Sequence, residues 1–220
     1  MNTKILKYGI FAFIFYAPFA NAQNLPENKN FSECLKIASE NPQKGIDYAI
    51  DWRARFGNID AQHCLGVAYI ENEDYENGAK ILSNLAPFIS KDRLVKKTTI
   101  LSQSANGYLL AHLPDEALIQ INKAIELDEK NADLLVDRAR IYAMQENWKD
   151  SEGDLNKAMA LKQEIPFTLR LRAEARLQLK KYNEAERDIS HAILLDPKDG
   201  ENYFVRGRIR EAKRGNNAAN

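Results

Sequence analysis

Ala124, Ala158 and Ala192 follow one another at intervals of 34 residues. Ile121, Leu155 and Ile189 keep the same step, as do Leu127, Leu161 and Leu195. Leu101, Leu135, Leu169 and Tyr203 extend it by one copy, and so do Ala105, Ala139, Ala173 and Gly207. A gap-free period of this length is the mark of stacked supersecondary units, each too small to bury its apolar face alone. Within each unit the apolar residues recur at three and four, the spacing of one helix face. Asp115, Ala117, Leu118, Ile121, Ala124, Ile125 and Leu127 show this clearly. Polar runs such as Asp128 to Asn131 and Asp196 to Gly200 interrupt the pattern where turns belong.

The small and large residues of these columns resemble the tetratricopeptide-repeat (TPR) family of helix–turn–helix units. Residues 166–199 supply Leu169, Ala173, Ala185, Ile189, Ala192 and Pro197 at its signature positions. Residues 132–165 and 98–131 follow the same plan, and 59–97 is a divergent copy with a short insertion. The resemblance implies an all-α, right-handed α-solenoid. Residues 31–58 are expected as a degenerate first helix pair, 200–214 as a polar capping helix and 215–220 as a frayed tail. Residues 31–90, with Cys34-Leu35, Pro42, Trp52-Arg53, Gly57 and His63-Cys64, also resemble exported bacterial TPR proteins of unassigned function.

The N-terminus follows different rules. Lys4 and Lys7 precede an apolar run from Gly9 to Ala20, and Ala20-Asn21-Ala22 has the pattern of a processing site. This reads as a secretory signal peptide over residues 1–22, with 23–30 as a disordered mature start. The run is short for a membrane span, which needs about 20 apolar residues. A periplasmic location is the expectation, and an uncleaved N-terminal anchor on the inner membrane is the alternative. Across the whole chain 31 basic residues balance 31 acidic ones, so no electrostatic footprint for nucleic acid is present.

Cys34 and Cys64 are the two cysteines. In an exported chain an even number favours a disulfide, and first helices of adjacent repeats pack side by side. Closing that loop would stabilise by roughly 3–4 kcal/mol on the chain-entropy account. A pair of free thiols is the alternative. His63 beside Cys64 lacks the further ligands a zinc site needs.

Arg138, Arg172 and Arg206 keep the repeat step, as do Asp154 and Asp188. They read as an ion-pair ladder that fixes register between helices. A ligand carboxylate facing the guanidinium groups is the competing reading. In TPR proteins the first helices line a groove that binds partners. By that resemblance Ser102, Asn106, Val136, Arg140, Arg170 and Glu174 would face it. Those TPR proteins that clamp the C-terminal carboxylate of cytoplasmic heat-shock chaperones place Lys and Asn at defined groove positions. Here Ser102, Asn106, Asp137 and Phe167 stand there, a poor match.

His112 sits at a turn and His191 beside a buried column, and no nucleophile elbow, metal-binding helix motif or phosphate loop occurs. The sequence therefore points away from an enzyme, with no cofactor and no metal. It points to a protein or peptide partner held in a groove. Self-association as a structural envelope subunit and an enzyme on a helical scaffold are the alternatives.

Overall fold

The computed structural model describes residues 29–161 and 165–219. Residues 1–22, expected as a signal peptide, and residues 23–28 lie outside them. Among the described residues the chain forms eleven α-helices. In order they are α1 (Lys29–Glu40), α2 (Pro42–Phe56), α3 (Ile59–Glu71), α4 (Tyr75–Leu85), α5 (Leu94–Leu110) and α6 (Pro114–Leu127). Then come α7 (Ala132–Met144), α8 (Trp148–Leu161), α9 (Pro166–Gln178), α10 (Tyr182–Leu195) and α11 (Gly200–Ala219). Each helix packs on the next, and the odd-numbered helices also touch one another in sequence. The first helices of the pairs therefore lie together along one face of an α-solenoid.

Local chemistry sets the boundaries. Asn41 caps α2 by accepting the Lys44 N–H at 3.0 Å, and Pro42 opens the helix where no N–H is needed. Gly57 ends it in the left-handed region at φ 58°, donating its N–H to the Arg53 carbonyl. Asn58 then caps α3 through the Ala61 N–H at 2.7 Å. Pro114 and Pro166 start α6 and α9 in the same way.

The turn inside each pair is a repeated object. Glu73, His112, Glu146 and Lys180 all adopt φ between 57° and 62°. In each case the next residue donates back to close a wider ring. Leu113 N–H reaches Tyr108 O at 2.9 Å, Asn147 reaches Tyr142 at 2.8 Å and Lys181 reaches Arg176 at 2.8 Å. Left-handed backbone costs a non-glycine residue about 1–2 kcal/mol, and these wider rings hold it there. Between α4 and α5 two 3-10 turns, Ala86–Phe88 and Lys91–Arg93, carry the insertion that throws the period off.

The core falls into successive clusters along the solenoid and changes character. Leu82, Ile100, Ile121 and Ile141 fill the middle, and Leu169, Ile189 and Ile209 fill the C-terminal end. At the N-terminal end Cys34 and Cys64 join α1 to α3 as a disulfide, with their Cα atoms 6.3 Å apart, against Trp52 and Leu65. There α3 and α4 approach so closely that a Cβ on Gly78 would sit 2.6 Å from the Gly66 carbonyl oxygen. Two boundaries differ from the sequence expectation. Residues 29 and 30 belong to α1, and α11 runs on through 215–219, where a frayed tail was expected. Glu211, three residues from both Arg208 and Arg214 on the helix surface, favours that extension.

Candidate functional site

The face made by α3, α5, α7, α9 and α11 carries polar side chains that bond across the seams between helices. Asp137 of α7 is the hub of the central seam. Its Oδ2 accepts from Ser102 Oγ at 2.9 Å and from Asn106 Nδ2 at 3.2 Å, both on α5. Arg140 Nη1 donates to Asn106 Oδ1 at 2.8 Å and to Asp137 Oδ1 at 3.4 Å. Burial pushes the Asp137 carboxyl above its ordinary range, and Arg140, Ser102 and Asn106 pull it back.

The next seam joins α9 to α11. Arg170 Nη1 donates to Asp199 and, at 3.2 Å, to Asn202 Oδ1. Its guanidinium lies 5.6 Å from the Phe167 ring centre, and that of Arg208 lies 5.9 Å from the Phe204 ring. Glu174 sits between the two arginines. Burial raises its carboxyl, Arg208 and Arg170 lower it, and Glu201 adds a smaller push upward. Phe204 is 60% exposed. Val136 is half-buried against Ala132, Leu135 and Ala158, so it forms floor rather than a polar contact. Asn106, Arg140, Glu174 and Arg208 occupy one column of the repeat, so polar neutral, positive, negative and positive groups alternate along the groove.

At the N-terminal end the seam between α3 and α5 holds His63, which is only 4% exposed. Its Nε2 lies 2.6 Å from Gln103 Oε1, its ring centre lies 4.8 Å from that of Phe31, and its Nδ1 has no hydrogen-bond partner. Lys96 pairs with Asp60 beside it. Burial pushes the imidazole down from 6.5 to about 4; Lys96 lowers it further, while the Gln103 bond and Asp60 oppose the shift. The folded state thus holds the proton more weakly than the unfolded state. Its stabilising effect is complete above the unfolded value and is lost as pH falls toward 4. Wild-type protein should lose about 3 kcal/mol more than His63→Gln between pH 6.5 and 4 in urea titrations. Parallel pH profiles for the two proteins would remove His63 as the cause.

The charged columns pair on the other side of the first helices. Arg138 grips Asp154 with two bonds, Nε to Oδ2 at 2.7 Å and Nη2 to Oδ1 at 3.0 Å, while Nη1 reaches Asn122 at 2.9 Å. Arg172 repeats this with Asp188 at 2.8 Å twice and Asn156 at 2.9 Å. Each arginine therefore binds the second helix of its own repeat and that of the preceding one. Sequence reasoning missed the asparagines, although Asn122 and Asn156 keep the same step. It also missed a second ladder. Arg176 donates to Glu152 at 2.9 Å, and Arg210 donates to Glu186 at 3.2 Å. Arg206 does not join the first ladder as expected. No helix among the described residues stands where Asp154 and Asp188 stand for the other arginines, so Arg206 lies 5.0 Å from the Tyr203 ring centre instead.

Between α6 and α8 the outer face has a cleft of about 700 Å³. Ile125, Leu135 and Leu161 form its apolar lining beside Glu126, Arg138 and Lys157. Among the described residues no three potential ligands come together to hold a metal ion, and no helix is long and apolar enough to cross a membrane.

No protein-family model matches the chain. It is 29% identical over 106 residues to human RNA polymerase II-associated protein 3, a match covering 48% of this chain and 16% of that protein. The chain thus spans about a sixth of that relative's length. Among solved structures, the first TPR of Spaghetti (RPAP3), bound to the HSP90 peptide SRMEEVD, is 28% identical with a TM-score of 0.52. That match covers 54% of this chain and 94% of the other. The C-terminal part of a TPR repeat-containing protein from Cytophaga hutchinsonii has a TM-score of 0.69 at 15% identity. It covers 84% of this chain and 72% of that one, a likeness of fold. With its helix pairs stacked at the period of its sequence, the chain is a tetratricopeptide-repeat α-solenoid.

Proposed function

We propose that this chain is a non-catalytic, exported interaction module that binds a peptide or an extended segment of a partner protein along the face of its first helices. The observation that supports this most directly is the seam of Ser102, Asn106, Asp137 and Arg140, flanked by exposed Phe204 and half-buried Glu174. Such a surface is preorganised by its own hydrogen bonds, which lowers the ordering cost of binding. The peptide-bound RPAP3 domain supports the same mode. A chain-terminal carboxylate is a poor ligand for the central seam here. Asp137 already takes the donors of Ser102, Asn106 and Arg140, and a second carboxylate beside it is repelled.

Affinity capture from an envelope fraction, with Asn106→Ala and Arg140→Glu compared with wild type, tests the groove. Loss of captured partners in both variants is expected. Unchanged capture would remove the groove from the interaction. The peptide SRMEEVD is expected not to bind in a direct titration, and binding lost on Asn106→Ala would restore the carboxylate reading. The basic start, apolar run and Ala20-Asn21-Ala22 site support cleavage after residue 22. Mass spectrometry of the protein from its native host should therefore find Gln23 as the first residue.

A further inference from the structure

We infer that the outward face of α11 is a docking site for an acidic amphipathic helix of a partner protein, distinct from the groove. The repeat itself specifies what fits there. By position α11 is the first helix of a further repeat: Tyr203 continues the column of Leu101, Leu135 and Leu169, and Gly207 that of Ala105, Ala139 and Ala173. In the two preceding pairs this face is covered by a second helix. That helix places an aspartate against the column arginine, Asp154 on Arg138 and Asp188 on Arg172.

On α11 all the receiving parts are present and uncovered among the described residues. Among the described residues no carboxylate pairs with Arg206, which lies against the Tyr203 ring, and Tyr203 is 41% exposed. A Cβ on Gly207 would meet nothing within 4 Å. Arg210, one turn on, spends its Nε on Glu186 at 3.2 Å and remains exposed, so the face is basic. Glu211 replaces the apolar Leu177 of the column, which limits contact to the first half of α11.

Charge decides between occupants. A second copy offering its own α11 would set Arg206 and Arg210 against the same arginines, and like charges in contact are unfavourable. A helix with an aspartate or glutamate in register with Arg206, and small apolar residues toward Gly207, restores the two-bond pair seen twice in this molecule.

The probe is the molecule's own α10, a peptide of residues 181–196 held helical by a crosslink on its solvent face. Titrated into the full chain, it should shift the amide resonances of Tyr203, Arg206 and Gly207. Replacing its aspartate (Asp188→Asn in the peptide), or Arg206→Gln in the chain, should weaken binding about tenfold, the loss expected for one charge-assisted contact. Gly207→Trp, which the open space accommodates, should abolish binding while Asn106→Ala leaves it intact. No shifts with peptide up to about 1 mM, the weak end of specific recognition, would overturn the inference. Equal binding by the asparagine peptide would do the same. So would a chain dimer in sedimentation that Gly207→Trp dissociates, since that gives the face to a second copy.

Discussion

Asp188→Ala should be the most damaging single substitution on the charged side of the solenoid, lowering stability by about 3–5 kcal/mol. Its carboxylate is 7% exposed and accepts from Arg172 at two atoms and from Arg176 Nη1 at 2.6 Å. Removing it takes a carboxylate from two guanidinium groups, each 15% exposed. Arg176 keeps Glu152, but among the described residues Arg172 keeps only the neutral Asn156. Urea titration followed by circular dichroism measures the loss. Asp154→Ala should cost less, because Asp154 neutralises Arg138 together with a Lys157 that is 68% exposed. Asp51→Ala, which breaks an exposed pair with Arg55 in α2, should change stability by less than about 1 kcal/mol. Equal effects at the three sites would mean that burial does not set the strength of these pairs. Replacing Arg172 and Asp188 together by leucine and alanine separates the two terms. If the pair serves register more than stability, the double variant recovers much of what Asp188→Ala loses.

What was readable in the sequence was whatever repeats. The step through Ala124, Ala158 and Ala192 predicts stacked pairs, and each of these alanines is buried where two helices meet. The arginine and aspartate columns are visible for the same reason, and so in hindsight are Asn122 with Asn156 and Glu152 with Glu186. Features that occur once left no such trace. Asp137 shares a column with Gln103 and Leu171, so nothing in the period marks it as a hub. Its role appears only when α5 and α7 are set side by side and Ser102 and Asn106 turn toward it. Arg206 fails in the opposite sense. Its column predicts a pair, but the pair requires a carboxylate on a helix packed against that face, and none of the described residues supplies one. The sequence places His112 at a turn, but the left-handed backbone at His112, Glu146 and Lys180 was hidden, because it normally draws glycine or asparagine and neither stands at those positions.

Loss of the Cys34–Cys64 bond should destabilise the N-terminal end by roughly 3–4 kcal/mol and leave the C-terminal repeats folded. The bond spans 30 residues and ties α1 to α3, and among the described residues α1 packs chiefly on α2 and α3. Both cysteines are fully buried, so Cys34→Ala with Cys64→Ala also removes packing beside Trp52 and Leu65. Comparing that double variant with the reduced wild-type chain separates the two contributions, since reduction removes the crosslink and retains both sulfur atoms. In a solenoid each unit is stabilised mainly by contact with its neighbours, so the loss should remain local. Hydrogen exchange should quicken across α1 and α2, where Gly45 packs against Ala38, and change little in α9 to α11. Protease should cut first near the α1–α2 junction. His63 makes the effect depend on pH as well: it lies on α3 next to Cys64, and its protonation below its unfolded value loosens the same helix. Reduction and acid should therefore reinforce one another, and the reduced protein at pH 5 should show α1 detached under conditions where either treatment alone leaves it in place. Uniform acceleration of exchange through α11 would mean that the array melts as one unit, and the local account of the disulfide would fail.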